Sequence, residues 1–332
     1  MPYLIATDEA GYGPKLGPLV IVATAWTYTA GSLPKEPFLS LSEPFEDSRC
    51  GTLHIDDSKR VFRRKLDCPP GRLPILDEIC RGASRWALIP DPLDQFFEWL
   101  QAVAKSDCKA IEEDPCLTDF SKHATVTPTE DNVAADRELI AHWSTTGASL
   151  KAIQARLITP AIFNSIVDAG MNKADLLTEL TCQLAFDLIR TKASTETSVI
   201  VKSDRHGGRA FYGAALQHVC ESTNLRVVKE GKPISQYELT RTTESGIDQT
   251  IDWSFTIGGD SFAPVALSSI IAKWLRERSM ASLNRYFVER MPIGKTLLPT
   301  AGYPTDADRF LQDITRAGLR ASIPDSVLIR KR

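Results

Sequence analysis

Two spacings of apolar residues divide the chain into predicted strands and helices. Tyr3–Thr7 and Leu19–Trp26 are apolar, β-rich runs, and the loop between them is punctuated by Gly11, Gly13, Pro14, Gly17 and Pro18. Two short strands on either side of a loop rich in glycine and proline predict an N-terminal β-hairpin.

Helical spacing is clearest at Lys173–Lys192, where leucine recurs every fourth residue and predicts a helix with one buried face. The segments around it are predicted to be extended at Ser198–Lys202, Leu225–Val228 and Ile251–Ile257 and helical at Phe96–Val103, Ala210–Ser222 and Pro264–Phe287. A hairpin followed by mixed helices and strands predicts an α/β fold with a mixed central sheet flanked by helices. The acidic, Ser/Thr-rich stretch 106–146 has no clean period, and we predict that it is an insertion or a lid.

Composition sets only loose limits on the number of domains and on the kind of partner. The chain has 332 residues, 43% of them apolar, which is enough for the core of one large domain or two ordinary ones. Lys and Arg total 39 against 42 Asp and Glu, a formal charge of −3, so any nucleic-acid partner must be held by a local basic patch. The run Arg63-Arg64-Lys65, which follows Ile55–Arg60, is the best candidate for a surface that faces phosphate.

Cysteine usage and the N-terminus bear on the compartment. The seven cysteines are scattered without a C-x-x-C pair, so reduced thiols in a cytoplasmic protein are the simplest interpretation. The first apolar run is too short for a signal peptide, and no run approaches the length that spans a bilayer. We therefore expect a cytoplasmic protein that has no membrane partner.

Four acidic residues follow apolar, β-rich runs: Asp8, Glu9, Asp204 and Asp260. A carboxylate at the end of a buried strand is costly unless it is paired, so three such strands predict that the acids meet around a cation. Hard carboxylate ligands without nearby His or Cys favour Mg²⁺ or Mn²⁺ over zinc. A turn that begins at Asp8 is expected to aim one side chain and one carbonyl at the metal. Alternatively, Asp8 and Glu9 form a polar turn in the hairpin, and Asp204 starts an ordinary loop.

Four stretches stand out along the chain: DEAGYGPKLGPLVIVA from Asp8, DSK at Asp57–Lys59, GDSFAPVALSSIIAK from Gly259 to Lys273, and GYPT at Gly302–Thr305. They resemble, in the same order, the successive signatures of the ribonuclease HII (type 2 ribonuclease H) family. The resemblance covers both ends of the chain and much of 159–273, and it is that of a divergent member with insertions. It implies one elaborated ribonuclease H-like domain over 1–332, with additions at 106–146 and 226–250 and a substrate-contacting segment at 288–332.

The resemblance also implies an activity, namely metal-dependent hydrolysis of the RNA strand of RNA–DNA hybrids or of ribonucleotides embedded in duplex DNA. The family's catalytic carboxylates, which would hold two divalent ions about 4 Å apart, match Asp8, Glu9, Asp204 and Asp260. Its backbone reader of the ribose 2′-hydroxyl, the group that distinguishes RNA from DNA, matches Gly11-Tyr12-Gly13, and its junction-sensing tyrosine matches Tyr303. We expect a monomer that binds nucleic acid, and the sequence names no protein partner.

Two departures from the family pattern concern positive charge. Tyr12 stands where the family usually has arginine or lysine, which removes a cation that could meet phosphate. Asp204 and Asp260 are further apart than the family's acids, and RHGGR follows the first of them. We predict that Arg205 and Arg209 clamp a phosphate in place of the missing cation. The final RASIPDSVLIRKR only loosely resembles the family's closing basic segment.

Other candidate contacts each have a structural alternative. Lys59 and Lys273 are either substrate contacts or solvated surface lysines, and Tyr303 is either a contact or a turn residue stacked on proline. His206 either shuttles a proton beside the metal site or is merely exposed. The serines of these stretches are either phosphate donors or caps: Ser58, Ser268 and Ser269.

Two rival functions remain open at the level of sequence. One is a nucleic-acid-binding protein on the same fold that has been diverted from cleavage, although the complete set of carboxylates argues against it. The other is a nuclease with a changed substrate, such as branched or structured nucleic acid, over which 106–146 would close as a lid.

Overall fold

The computed structural model describes residues 2–29, 35–62, 73–118, 120 and 129–331. The basic run at 63–65, which is predicted to face phosphate, lies outside these residues, as does part of the predicted insertion at 106–146.

The described strands are β1 (Tyr3–Ala10), β2 (Leu19–Tyr28), β3 (Phe45–Asp47), β4 (Gly51–Leu53), β5 (Ala148–Ile158), β6 (Ser198–Asp204), β7 (Asn224–Lys229), β8 (Ile234–Thr242) and β9 (Asp248–Thr256). The described α-helices are α1 (Leu39–Ser42), α2 (Ser58–Val61), α3 (Pro74–Trp86), α4 (Phe96–Val103), α5 (Cys108–Glu113), α6 (Glu130–Ser144), α7 (Pro160–Asp168), α8 (Lys173–Lys192), α9 (Gly213–Val219), α10 (Ala263–Val288), α11 (Pro304–Arg316) and α12 (Asp325–Leu328). Among the described helices, none combines the length and the apolar character needed to cross a bilayer.

Seven of the described strands form one mixed sheet in the order β5-β2-β1-β6-β9-β8-β7. β1 is antiparallel to β2 and parallel to β6, β6 is parallel to β9, and the outer strands pair antiparallel on both sides. The prediction of an α/β fold with a mixed central sheet flanked by helices is therefore confirmed. The carboxyl ends of β1, β6 and β9 lie at one edge of the sheet, which is where open α/β sheets usually place their sites.

Helices α10 and α8 cover opposite faces of this sheet. Leu4 and Ala6 of β1 pack into the core beneath α10, whereas Ile5 packs into the core beneath α8. Because side chains alternate between the two faces of a strand, Asp8 continues the α10 face and Glu9 continues the α8 face.

Strand β1 extends beyond its predicted end and includes both acids. Asp8 and Glu9 pair with Val22 and Ile21 of β2, as regular members of the antiparallel ladder. The prediction of a turn that begins at Asp8 is therefore wrong. Acidic residues have low strand propensity, and here the partner strand overrides it.

The segments predicted to be insertions contain regular structure. α5 and α6 lie within 106–146, and α6 buries Leu139 and Trp143 in the core beneath α10. Asp136 of α6 forms ion pairs with Arg49 and Arg81. Residues 226–250 contribute β8 and most of β7 to the edge of the central sheet. Their status as additions to a family pattern stays a prediction.

The segment 288–331 is joined to the loop between β1 and β2. Phe310 of α11 and Leu328 of α12 pack around the second half of α10 together with Leu16 of that loop. Leu16 also forms a β-bridge with Ile329. The loop after β1 is therefore fixed by chain that lies far away in the sequence.

Candidate active site

A pocket of about 280 Å³ lies at the carboxyl edge of β1 and β6, and all four predicted carboxylates line it. Other predicted contacts on its wall are Gly11, Ser58, Lys59, Lys273 and Tyr303. Predicted contacts that lie outside its wall, although the structure describes them, are Tyr12, Gly13, Arg205 and Arg209. The fold thus brings most of the predicted site residues, from distant parts of the sequence, to one cavity.

Strand β1 supplies two of the four carboxylates, from opposite faces of the sheet. Asp8, on the α10 face, is only 6% exposed, and the hydroxyl of Ser269 on α10 acts to lower the pKa of Asp8 against the effect of burial. Its Oδ1 also accepts the backbone N–H of Glu9 at 2.7 Å. Both acids nevertheless line the same pocket at the end of the sheet.

A glycine contact holds the other two acids together. Asp204 is the last residue of β6, and its Oδ1 accepts the backbone N–H of Gly259 at 2.7 Å. A Cβ at position 259 would lie 2.9 Å from Asp204 Cα, so the absence of a side chain permits this close approach. Asp260 is the next residue, in a short 3₁₀ turn before α10. Asp204 and Asp260 are far apart in the sequence, but they lie close together in the fold because β6 and β9 are neighbours in the sheet.

The negative charge of these acids is poorly compensated. Burial, and then the charges of Glu9 and Asp204, raise the pKa of Asp8 well above its ordinary value. Burial and the charge of Asp204 raise the pKa of Glu9 to about 8. The pKa values of Asp204 and Asp260 are also raised, chiefly by burial, and the ammonium of Lys59 opposes this. Burial and mutual repulsion therefore outweigh the effect of the positive charges on the pocket wall.

The donor set has the chemistry of a divalent-cation site. Carboxylates without His or Cys on the pocket wall suit Mg²⁺ or Mn²⁺, and a cation would relieve the repulsion that raises their pKa values. As the side chains of the described residues stand, no group of three or more His, Cys, Asp or Glu converges to hold an ion. Chemistry and charge, rather than a preformed ligand geometry, therefore favour a divalent ion here.

Two lysines bring positive charge to the α10 side of the pocket. Lys59 lies in α2, whose first turn is capped by Asp57 through a 2.8 Å bond from the Lys59 backbone N–H. Lys273 of α10 donates from Nζ to the carbonyl of Phe62 at 3.3 Å, and burial lowers the pKa of Lys273. Both lysines line the pocket, where Lys59 is exposed and Lys273 is half-buried, and their contact with a substrate stays a prediction.

The three candidate serines have different surroundings. Ser58 and Ser269 line the pocket with their Oγ atoms 3.3 Å apart. Ser268 is fully buried and donates to the carbonyl of Ala6 at 3.1 Å. Of the three, only Ser58 and Ser269 are placed to meet a ligand in the pocket.

Two buried arginines brace the turn that begins at Gly11. Gly11 has a φ of 86°, and a Cβ there would lie 2.8 Å from both Arg276 Cδ and the carbonyl oxygen of Pro18. Arg276 of α10 donates to that Pro18 carbonyl at 2.7 Å. Arg330 donates to the carbonyl of Gly11 at 2.6 Å and to the carbonyl of Pro14. The turn backbone is therefore fixed by α10 on one side and by residue 330 on the other.

Tyr303 stands on the wall of the pocket beside the same loop. Its side chain is 57% exposed, and it immediately precedes α11. The carbonyl of Gly302 accepts the backbone N–H groups of Lys15 at 2.7 Å and Leu16 at 3.2 Å. These bonds present the exposed ring next to the Gly11 turn.

The two arginines of the RHGGR segment bond within the chain and do not face the pocket. Arg205 donates to the carbonyls of Arg209 at 2.5 Å and Gly231 at 2.8 Å. Arg209 donates to Thr178 Oγ1 at 2.7 Å and forms an ion pair with Asp175. The bonds of Arg209 tie the segment to α8, and the phosphate clamp stays a prediction.

His206 is buried and does not lie on the wall of the pocket. It is 2% exposed, and its Nδ1 lies 3.0 Å from Thr178 Oγ1. Burial, with the nearby charge of Arg209, lowers the pKa of His206 to about 3. The imidazole is therefore neutral near pH 7, and it packs edge to face against Tyr212.

Arg276, which is not among the predicted site residues, lines the pocket and braces the turn. Ser269, Lys273 and Arg276 follow one another at intervals of four and three residues along α10. Residues at this spacing share one face of a helix, so this pattern could have identified Arg276.

No protein-family model and no curated protein matches the chain. Among solved structures, the PCNA:RNase HII complex from Archaeoglobus fulgidus aligns with a TM-score of 0.39 and 14% identity, over 99% of this chain and 94% of that chain. Bst-RNase HIII in complex with Mn²⁺ aligns with a TM-score of 0.41 and 11% identity, over 99% of this chain and 66% of that chain. The ribonuclease H2 from Pyrococcus horikoshii OT3 aligns with a TM-score of 0.39 and 14% identity, over 98% of this chain and 92% of that chain. With TM-scores near 0.4, the residues of this chain must themselves carry any functional assignment.

Proposed function

We propose that this chain is a metal-dependent endoribonuclease of the ribonuclease HII type, on a ribonuclease H-like fold. Its substrate is the RNA strand of RNA–DNA hybrids or single ribonucleotides embedded in duplex DNA. One observation carries the proposal: acids from three separate sequence stretches line a single pocket, and these acids are Asp8, Glu9, Asp204 and Asp260. Mutual repulsion costs the fold stability, and strongly perturbed acids in a cavity are typical of a catalytic site.

The residues of the pocket have different roles, which follow from their chemistry. The four carboxylates would hold divalent ions, Mg²⁺ or Mn²⁺, and such ions would supply Lewis-acid chemistry for phosphodiester hydrolysis. Lys59 and Lys273 attract the phosphates of the duplex. The backbone of the Gly11 turn reads the ribose 2′-hydroxyl, and its fixed conformation favours one position of the ribose. Tyr303 offers its exposed ring to the nucleotide beside the cleaved bond.

Cleavage of end-labelled duplexes tests the proposal. One duplex contains a single ribonucleotide, a second is a continuous RNA–DNA hybrid and a third is all DNA, each in Mg²⁺ and in Mn²⁺. Asp204→Asn and Asp260→Asn should each lower the rate of ribonucleotide-dependent cleavage by about 10³-fold or more. Asp252→Asn is the matched control, because Asp252 is exposed on neighbouring β9 and is not on the pocket wall.

The pattern of cuts distinguishes the rivals. Ribonucleotide-dependent cuts that persist in Asp252→Asn and disappear in the two pocket variants support the proposal. Duplex binding without cutting in either metal would instead show a diverted binding protein. Cutting of the all-DNA duplex would show a nuclease with a changed substrate.

A further inference from the structure

Tyr12 turns from the pocket toward the α8 side of the sheet, where its half-buried ring packs against the core beneath α8. A Cβ at Gly207 would lie 3.6 Å from Tyr12 Cε1, so the ring lies close to the RHGGR backbone. The Nζ of Lys173, the first residue of α8, lies 4.3 Å from the centroid of the same ring. This is a cation–π arrangement, with Tyr12 as the platform for an ammonium group.

The start of α8 is fixed relative to this platform. Asn172 caps the helix by accepting the backbone N–H of Asp175 at 2.9 Å. Arg209 pairs with Asp175 and donates to Thr178 in the next turn, so the RHGGR segment is tied to the beginning of the helix. The arginine that was predicted to clamp phosphate thus helps to place Lys173 over the tyrosine ring.

The Tyr12–Lys173 pair lies beside the Glu9 side of the carboxylate cluster. Gly11 lines the pocket and Tyr12 follows it, and the charge of Glu9 acts on the Tyr12 hydroxyl. Lys59 and Lys273 bring positive charge to the α10 side of the pocket. On the α8 side, the ammonium of Lys173 stands over the Tyr12 ring, and an ammonium group is a cation with three N–H donors that suit an anion.

We infer that Lys173, held on Tyr12, contacts a backbone phosphate of the bound duplex on the α8 side of the pocket. The inference rests on the proposed function, since it names a substrate contact of the same site. It gives Lys173 the role that the sequence analysis predicted for Arg205 and Arg209. The pair would position the strand without touching the reacting bond.

Binding measured with cleavage switched off isolates this contact. The Asp8→Asn protein is titrated with a fluorescent RNA–DNA hybrid at several KCl concentrations, with and without Lys173→Met. Lys173→Met should weaken binding about tenfold at low salt and lower the slope of log K against log salt by about one, because one phosphate contact is lost. Lys192→Met, at the exposed far end of the same helix, is the matched control and should change neither quantity.

Kinetics and rescue provide a second readout. In the active chain, Lys173→Met should raise KM about tenfold and leave kcat within about twofold, because a remote phosphate contact binds ground state and transition state equally. Tyr12→Arg on the Lys173→Met background should restore the salt slope, since it returns a cation to the same place.

The outcomes separate this inference from the proposed function. If the Asp8→Asn protein does not bind the hybrid, both are overturned. If it binds and Lys173→Met leaves the salt slope and KM unchanged, only the Lys173 inference is overturned. Weaker binding with an unchanged salt slope would show a structural role for Lys173 and would also overturn it.

Discussion

Removing the charge of Glu9 should make the fold less sensitive to rising pH. Burial and the charge of Asp204 raise the pKa of Glu9 from 4.5 to about 8 in the folded chain. A carboxyl with a raised folded pKa contributes stability that is complete below the unfolded pKa and is lost as the pH rises through the folded pKa. Without divalent ions, the wild-type chain should therefore lose stability between about pH 4.5 and pH 8. The Glu9→Gln variant should lose much less stability over the same pH range.

The size of this loss follows from the pKa shift. One pKa unit corresponds to about 1.4 kcal/mol, so the whole shift of Glu9 sets an upper limit of about 5 kcal/mol. Part of this is relieved because Glu9 retains some exposure and because Asp8 and Asp204 share the repulsion and the protons. We expect a loss of about 2–3 kcal/mol in unfolding free energy across the window.

Urea unfolding in EDTA at pH 5 and at pH 8 measures the effect. Glu289→Gln, at the exposed residue that follows α10, should behave like the wild type. Mn²⁺ added at pH 8 should restore most of the lost stability in the wild type and little in Glu9→Gln, since a ligand that binds only the folded state stabilises it. Parallel pH profiles of the wild type and Glu9→Gln in EDTA would refute the reasoning.

Three further predictions concern the bonds around the pocket. Gly11→Ala should cost about 2 kcal/mol or more in urea unfolding and abolish duplex cleavage, because the new Cβ meets Arg276 at a positive φ; full activity would contradict this. Arg330→Met should lower kcat for cleavage about tenfold by releasing the Gly11 carbonyl, whereas the half-exposed Lys331→Met should not; equal rates in the two variants would exclude the brace. Arg209→Met should lower the unfolding free energy by about 1–3 kcal/mol, because it removes the bond to Thr178 and the ion pair with Asp175; unchanged stability in urea unfolding would contradict this.

Elements with a local pattern were predictable from the sequence, and those that depend on buried polar groups were not. The predicted helix Lys173–Lys192 is confirmed as α8, because its repeated leucines are the residues that the core buries. Strand β8 was missed, since Ser235 shares its buried face with Tyr237 and Leu239. The Ser235 hydroxyl donates to the carbonyl of Ala210 at 2.6 Å, a tertiary contact that leaves no periodic signal.

In the candidate site, too, the residues that short motifs mark were predictable and the contacts between distant residues were not. Short motifs marked Asp8, Asp204 and Asp260, and the pairing of β1 with β6 and of β6 with β9 explains why these acids meet. The surroundings of Arg209 and His206 were not predictable, because a glycine-rich loop after a strand has the local character of an exposed segment. Both side chains bond to Thr178, 31 and 28 residues earlier in the chain, and no short pattern records such a contact.

The bond between Arg330 and the carbonyl of Gly11 joins residues that are 319 positions apart. At a synthesis rate of about 5–20 residues per second, Arg330 is synthesised on the order of half a minute after the turn at Gly11. The bridge from Leu16 to Ile329 also forms only at that late stage. A growing chain on the ribosome therefore carries its acidic residues long before the turn beside them is fixed.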